Sequence, residues 1–230
     1  MSAASPFRIK ICGVKRSEDL VAASESGADA VGLNFFPPSV RYMDPLGEQA
    51  RSLAAEAEQL GLNVVGLFVN SDVDSIAALT ERVRLTFVQL HGDETPAAAS
   101  RLRDAGVAVL RAVRLPRRAL SPAEIEDRVA PWREVGAAIL LDADAGSSYG
   151  GEGVSLDWRS IGAWSEQAAD HWILAGGLGP KDVFRAIQIA KPHGVDVASG
   201  VEAPRGTKDA NLVNAFCLEA ERGLQEQFRP

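Results

Sequence analysis

The segment LAGGLGPKDVFRAIQIAKPHGVDVASG, residues 174–200, determines how the chain is organised. It joins two apolar segments typical of strands, His171–Ala175 and Gly194–Ala198. Each segment ends in a small, flexible pair of residues, Gly176-Gly177 after the first and Ser199-Gly200 after the second. Between them, the spacing of apolar residues predicts a helix over Pro180–Ala190, with the proline in its first turn.

These two strand ends have the composition of an anion-binding site. Residues without a large side chain let backbone N–H groups close around an anion, and the start of a helix adds positive partial charge. Two consecutive strand ends of this kind, late in a series of βα units, are typical of the phosphate site of a barrel. The alternative is that both are ordinary tight turns.

The composition is that of a globular protein that buries a large core. Of 230 residues, 46% are hydrophobic and 24% charged, and the net charge of −7 argues against non-specific binding to nucleic acid or to a membrane surface. Only two cysteines, Cys12 and Cys217, and three histidines are present, which argues against a structural zinc site and against a disulfide framework. No secretory signal or membrane span is predicted, so we expect a cytoplasmic protein.

Strand and helix patterns alternate along the whole chain. The predicted strands are Phe7–Cys12, Asp29–Phe36, Asn63–Val69, Leu85–Leu90, Val107–Val113 and Ala137–Leu141, followed by the two above. The predicted helices are Ser17–Gly27 with Ser17 as N-cap, 46–60, Asp72–Arg82, Glu94–Ala105, 121–129, about a dozen residues from Asp157, Pro180–Ala190 and 209–225.

Eight βα units in series predict an α/β protein with a closed parallel barrel, the (βα)8 TIM barrel. An open, doubly wound sheet is the alternative, but it would be expected to carry a Gly-x-Gly fingerprint after the first strand, where this chain has Cys12-Gly13-Val14. No long or polar linker divides the chain, so we expect a single domain over residues 1–230, with residues 1–6 as an N-terminal tail.

In such a barrel, functional residues lie at the carboxyl ends of the strands and in the loops that follow. This rule selects Cys12, Asn34, Arg41, Asn70, His91, Arg111 or Arg114, Asp142, Gly176, Gly177, Ser199 and Gly200. The set contains a thiol, a carboxyl group, an arginine and an anion-binding loop, but neither a metal-binding cluster nor a dinucleotide fingerprint. Proton transfer on a small phosphorylated molecule, with no metal and no cofactor, is the chemistry that these groups favour.

Seven motifs give the chain a family resemblance. KICG (10–13), NFFPPSVRYMD (34–44), QLHG (89–92), LLDA (140–143), YGGEGVSLDW (149–158), LAGGL (174–178) and VDVASGVE (195–202) resemble, in the same order, the motifs of the phosphoribosylanthranilate isomerases of tryptophan biosynthesis. The resemblance extends from about residue 7 to about residue 220. It implies an Amadori rearrangement of N-(5'-phosphoribosyl)anthranilate to 1-(2-carboxyphenylamino)-1-deoxyribulose 5-phosphate.

The resemblance also implies roles for individual residues. Cys12 would be the general base and Asp142 the general acid, while Arg41 would bind the anthranilate carboxylate. The phosphate would be held by the loops of Gly176, Gly177, Ser199 and Gly200, chiefly through backbone amides.

The physical chemistry of these residue types is compatible with those roles. A free thiol is mostly protonated at pH 7, and Lys10, about 7 Å away on the same strand face, would favour the thiolate. Burial would raise the pKa of Asp142, as an acid requires. Without the resemblance, Cys12 is as well explained as a core residue and Asp142 as a turn residue, and Cys217 keeps the core interpretation.

Two further side chains are kept as candidates. His91 would either polarise a substrate group or pack in its turn, and Asp196, two residues before Ala198, is a reserve acid or base that we expect to point into the barrel.

The chain departs from the family pattern in two loops. Ala198 replaces the first serine of a usual Ser-Ser-Gly, which removes one hydroxyl group but no backbone amide. After the sixth strand, Glu152 and Val154 replace a hydroxyl residue and a lysine in a glycine-rich loop that has the composition of a lid. We expect these changes to alter substrate affinity or loop closure, and we expect a monomer. Another phosphosugar barrel enzyme, such as an epimerase or a lyase, and a non-catalytic phosphate-binding scaffold remain as alternatives.

Overall fold

A computed structural model describes residues 6–143, 156–168 and 171–227. In these ranges the strands are β1 Ile9–Cys12, β2 Ala30–Asn34, β3 Asn63–Phe68, β4 Phe87–Leu90, β5 Val109–Leu115, β6 Ala138–Ala143, β7 Trp172–Leu174 and β8 Gly194–Val197. The helices are α1 Ser17–Glu25, α2 Glu48–Gln59, α3 Val73–Val83, α4 Pro96–Asp104, α5 Pro122–Glu134, α6 Trp158–Ser165, α7 Val183–Ala190 and α8 Ala210–Gln227. Of the predicted tail at residues 1–6, only Pro6 is among the described residues.

The strands close into a barrel in sequence order, which confirms the predicted (βα)8 architecture. Every neighbouring pair is parallel, and β8 pairs with β1 through Lys10 opposite Asp196. The strands are short and buried on both faces, as their nearly continuous apolar sequences predict. One face packs against the helices, and the other fills the barrel with residues such as Val65, Leu110 and Leu140.

The alternation of side chains along each strand determines which residues enter the barrel. In β1, Ile9 and Ile11 belong to the layer between sheet and helices, so Lys10 and Cys12 lie on the inner face. In β8, Val195 and Val197 are likewise in the outer layer. Asp196 therefore points into the barrel, as the sequence predicts.

Helix α7 begins later than its sequence predicts. Pro180 and the residues around it form turns, and the first helical residue is Val183. The side chain of Asp182 accepts a hydrogen bond from the Gly179 N–H at 2.8 Å, which stabilises the turn. The prediction that Pro180 lies in the first turn of the helix is therefore wrong, and the helix start lies farther along the chain from Gly176-Gly177 than predicted.

Three other helix ends differ from the predictions. Helix α1 has Arg16 rather than Ser17 as its N-cap, with Asp19 accepting from the backbone N–H of Arg16 at 3.2 Å. Helix α5 continues to Glu134 although it contains Pro131, because Trp132 is buried and anchors its last turn. Helix α6 has eight residues rather than about a dozen, although it does begin after Asp157, its N-cap.

Candidate active site

The carboxyl ends of the strands surround a cavity of about 380 Å³. Its lining includes Cys12, Asn34, Arg41, His91, Asp142, Gly176, Gly177, Asp196 and Ser199. Two residues far apart in the chain, Cys12 at the end of β1 and Asp142 in β6, thus face the same space. The barrel end that the sequence predicts as catalytic therefore has a thiol and a carboxyl group within one cavity.

Cys12 is enclosed at the inner edge of the cavity, and its side chain packs with Leu67 and Val69. Burial raises the pKa of the Cys12 thiol, and the positive charge of Lys10 only partly opposes this rise. The expected direction of the Lys10 effect is confirmed. Desolvation is the larger effect, so the net result is a raised pKa for the Cys12 thiol.

Asp142 lies at the other side of the cavity and is held by its neighbours. Its Oδ1 accepts a hydrogen bond from the backbone N–H of Ala143 at 2.8 Å, and its Oδ2 lies 3.1 Å from Nε2 of His91. His91 therefore contacts the candidate acid and does not merely pack in its turn.

Lys10 lies below the floor of the cavity and is fully buried. Its Nζ is 3.1 Å from Oδ2 of Asp196 and donates a hydrogen bond to Oε1 of Gln89 at 2.5 Å. Burial acts to lower the pKa of Lys10, but the charge of Asp196, its hydrogen bond and the negative charge on Cys12 together outweigh it and raise that pKa above its ordinary value. Lys10 is therefore a cation that supports the floor and does not line the cavity.

Arg41 reaches the cavity from the loop after β2 and is fixed by a carboxylate. Its Nε donates to Oε1 of Glu202 at 2.6 Å and its Nη2 to Oε2 at 2.8 Å. Lys208 approaches the same carboxylate, with its Nζ 2.9 Å from Oε1. A buried anion between two buried cations therefore sets the direction of the guanidinium group.

The predicted anion-binding loops come together beside the cavity. Gly176 and Gly177 have positive φ angles of 84° and 70°. Ser199 begins a 3₁₀ helix, Ser199–Val201, and a Cβ on Gly200 would come within 1.9 Å of the Leu178 carbonyl oxygen. Gly177 and Ser199 line both the main cavity and an adjoining one of about 740 Å³, whereas Gly200 lines only the adjoining one.

Several other predicted candidates have different surroundings. Among the described residues, Asn70, Arg111 and Arg114 do not line the main cavity. Arg111 donates to Glu94 at 2.7 Å and its guanidinium group lies 4.2 Å from the ring centre of Trp132. Asn70 and Arg111 form hydrogen bonds with residues of the loop after β4 and stabilise it.

The departures at Glu152 and Val154, and almost all of the glycine-rich loop after β6, lie outside the described residues. Ala198 is among the described residues and lines the cavity.

Three residues that contact the predicted site residues have no role in the sequence interpretation: Gln89, Glu202 and Lys208. Gln89 carries a signal, since it is a polar residue on the inner face of an apolar strand. Glu202 and Lys208 carry none, because opposite charges six residues apart in a loop are usually solvated.

The described residues have neither a metal-ligand cluster nor a membrane-spanning helix. They contain no group of three or more His, Cys, Asp or Glu residues arranged to hold a metal ion. No helix among them has both the length and the apolar character needed to cross a bilayer.

A closed barrel with a thiol and a carboxyl group in one cavity at the carboxyl ends of its strands is the architecture of a (βα)8-barrel enzyme. The family model described as N-(5'-phosphoribosyl)anthranilate (PRA) isomerase matches residues 9–219. The chain belongs to this family.

Individual relatives agree with the family match. The chain is 43% identical over 216 residues to the N-(5'-phosphoribosyl)anthranilate isomerase of Myxococcus xanthus, covering 93% of this chain and 96% of that one. It is 41% identical over 215 residues to the enzyme of Magnetococcus marinus, covering 94% and 95%.

Solved structures show the same fold. The crystal structure of phosphoribosyl anthranilate isomerase from Thermotoga maritima has a TM-score of 0.81 and 35% identity, covering 94% of this chain and 99% of that one. A second structure, with a TM-score of 0.79 and 34% identity over the same shares of both chains, is a complex with reduced 1-(o-carboxyphenylamino)-1-deoxyribulose 5-phosphate.

The predicted family, fold and activity are thereby confirmed. The chain is an aldose–ketose isomerase of tryptophan biosynthesis that converts phosphoribosylanthranilate to carboxyphenylamino-deoxyribulose phosphate.

Proposed function

We propose that Cys12 and Asp142 are the general base and the general acid of this isomerisation. The observation that carries the proposal is that both side chains line one cavity, beside the loops of Gly177 and Ser199. A pentose bound there with its phosphate on those loops would place its reacting carbons between the thiol and the carboxyl group.

The first step opens the sugar ring. The carboxylic acid of Asp142 gives its proton to the ring oxygen, the bond between C1 and that oxygen breaks, and the lone pair of the anilino nitrogen forms the C=N bond of a protonated Schiff base. Asp142 becomes a carboxylate, with His91 Nε2 3.1 Å from its Oδ2.

The second step moves the double bond. The thiolate of Cys12 removes the proton from C2, the electrons of that C–H bond form a C1=C2 double bond, and those of the C=N bond return to nitrogen. The resulting enolamine gains a proton at C1 and loses the proton of its C2 hydroxyl, which gives the ketone. The overall reaction is therefore redox-neutral and needs no external oxidant.

Binding is assigned to two groups of residues. The loops of Gly176, Gly177, Ser199 and Gly200 bind the phosphate through their backbone N–H groups. Arg41 binds the anthranilate carboxylate with the N–H groups that Glu202 leaves available, since the bonds described for Glu202 engage only Nε and Nη2.

Steady-state turnover of phosphoribosylanthranilate by wild type, Cys12→Ala and Asp142→Asn tests this assignment. Each variant is expected to lose about 10²–10⁴-fold in kcat, the usual contribution of a positioned acid or base. Matched controls are Cys217→Ala, a buried cysteine in α8, and Asp127→Asn on the exposed face of α5. Retention of activity within about tenfold by both active-site variants would show that the roles are wrong.

We also propose that the chain acts as a monomer in the cytoplasm. One crystal structure from Thermotoga maritima shows monomers generated from a dimeric phosphoribosylanthranilate isomerase, so the state of relatives does not decide this point. Free, buried thiols at Cys12 and Cys217 support a reducing compartment. Light scattering across a hundredfold range of concentration tests the proposal, since a mass of two chains at all concentrations would contradict it.

A further inference from the structure

Five buried polar side chains form a row across the floor of the barrel. In order they are Asp196, Lys10, Gln89, His91 and Asp142, and successive members are 3.1, 2.5, 2.9 and 3.1 Å apart. Strands β8, β1, β4 and β6, with the residue after β4, contribute them. The row therefore joins the candidate acid in β6 to the ion pair between β1 and β8.

The chemistry of these groups fixes every hydrogen atom in the middle of the row. An ammonium group has only donors, so the atom of Gln89 that faces Lys10 must be the carbonyl oxygen Oε1. The amide nitrogen Nε2 of Gln89 then faces Nδ1 of His91 at 2.9 Å and donates to it. Because Nδ1 accepts, the single proton of a neutral imidazole is on Nε2.

The Nε2–H group of His91 lies next to Asp142 but does not form a hydrogen bond with it. Nε2 is buried and 3.1 Å from Oδ2 of Asp142, yet it has no acceptor with hydrogen-bond geometry among the described residues. A buried donor without an acceptor is destabilising, so a small movement that aligns it with a carboxylate is favourable. The negative charge on Asp142 is greatest after the acid has given its proton to the substrate.

We propose that Gln89 is a positioning residue, which together with Lys10 fixes His91 as the neutral tautomer with its proton on Nε2, so that this N–H stabilises the carboxylate formed on Asp142 during ring opening. The inference rests on the acid role proposed above for Asp142. It gives functions to Lys10, Gln89 and Asp196 that do not require any of them to touch the substrate.

The decisive measurement combines ¹⁵N NMR of histidine-labelled protein with kinetics. The His91 signals are assigned by their loss in His91→Gln, and wild type is expected to show a protonated Nε2 and an unprotonated Nδ1. In Gln89→Glu the carboxylate offers only acceptors, so the proton should move to Nδ1. We expect kcat to fall about 10²-fold, as for loss of one donor to a developing charge, while KM changes less than threefold.

A second variant and a control complete the test. Gln89→Met keeps the length of the side chain without donor or acceptor, and should give a mixture of both tautomers with a smaller loss in kcat. Gln49→Glu, a surface glutamine in α2, should change neither the tautomer nor kcat. A protonated Nδ1 in wild type would overturn the inference, as would a tautomer switch that leaves kcat within threefold, or a fall in kcat without the switch. The wild-type tautomer is measured without turnover, so failure of the proposed function would be recognised separately.

Discussion

Both carboxylate oxygens of Glu202 accept hydrogen bonds from Arg41, Oε1 from Nε at 2.6 Å and Oε2 from Nη2 at 2.8 Å. The side chain of Glu202 is only 1% exposed, and Lys208 binds the same carboxylate. The arginine assigned to the substrate carboxylate is thus directed by a buried anion and not by solvent.

Replacing Glu202 by glutamine tests this relationship. Glu202→Gln leaves two buried cations without their anion, so we expect a loss of about 3–5 kcal/mol in the free energy of unfolding. We also expect KM for phosphoribosylanthranilate to rise about tenfold with a smaller change in kcat, because Arg41 loses its orientation but the acid and base remain. Urea denaturation and steady-state kinetics measure the two effects.

The free energy of unfolding at acidic pH provides a second test of the Glu202→Gln variant. Burial acts to raise the pKa of Glu202, but hydrogen bonds from Arg41 and the charge of Lys208 outweigh it and lower that pKa. A carboxyl group with a lowered folded-state pKa stabilises the protein above its unfolded pKa, and this stability is lost as the pH falls through the folded pKa. The difference between wild type and Glu202→Gln should therefore shrink below about pH 4.5. Glu58→Gln, at an exposed pair with Arg84, is the control and should cost less than about 1 kcal/mol.

The reactivity of Cys12 tests the balance between burial and the charge of Lys10. Burial raises the pKa of the Cys12 thiol, so alkylation by iodoacetamide should be slow at pH 7 and accelerate as the pH rises beyond the ordinary thiol range. Because the charge of Lys10 lowers this pKa, Lys10→Met should slow alkylation further at any pH where the thiol is mostly protonated. Mass spectrometry of the labelled peptide follows the reaction.

Two comparisons make that result interpretable. Burial raises the pKa of Cys217 to about 12, so this second thiol should remain unlabelled and serve as an internal control. The double variant Lys10→Met/Asp196→Asn removes the unpaired carboxylate that the single variant leaves. An identical Cys12 pKa in wild type and in both variants would exclude an electrostatic role for Lys10.

The sequence predicts the fold and most of the site because both depend on local periodicity. Alternation along β1 and β8 places Cys12 and Asp196 on the inner face, and the pairs Gly176-Gly177 and Ser199-Gly200 mark the predicted anion-binding loops. These signals need only residues close together in the chain.

The partners of the site residues are not predicted, because they depend on how distant loops meet. Glu202 and Arg41 are 161 positions apart, and Lys10 and Gln89 are 79 apart. The net pKa shift of Cys12 is also missed, since the depth of burial depends on the closed barrel rather than on neighbouring residues.

Two stacked histidines, His171 and His193, lie away from the site, and we expect them to make the stability of the protein depend on pH. The rings of His171 and His193 are 4.0 Å apart, and burial, followed by the charge of His171, lowers the pKa of His193 from 6.5 to about 4. An unfolded His193 binds its proton near pH 6.5 while the folded one stays neutral, so stability is present above 6.5 and falls as the pH drops towards 4. The Tm should therefore decrease over this window, and the decrease should be smaller in His193→Gln. A parallel pH profile for the two proteins would refute the prediction.

The glycine pair before α7 yields a last prediction, with a control that the barrel itself provides. Gly176 has a φ of 84°, and a Cβ there would lie 2.6 Å from the backbone nitrogen of Ala143 and 3.0 Å from Oδ1 of Asp142. Gly106 has nearly the same φ, 82°, but a Cβ there would meet no atom within 4 Å. Both Gly176→Ala and Gly106→Ala should lose about 1–2 kcal/mol through the left-handed backbone alone.

Only Gly176→Ala should also displace Asp142, and a displacement of about 1 Å at an acid costs about 10² in rate. We therefore expect kcat/KM to fall about 10²-fold in Gly176→Ala and to stay within twofold of wild type in Gly106→Ala, although both proteins carry the same left-handed backbone strain. Left-handed backbone strain is present in both variants, whereas contact with Asp142 is present only in Gly176→Ala. Denaturation measures the loss of stability in each variant, and kinetics measures the loss of activity that the contact causes. Equal losses of activity would mean that the loop after β7 does not set the position of Asp142.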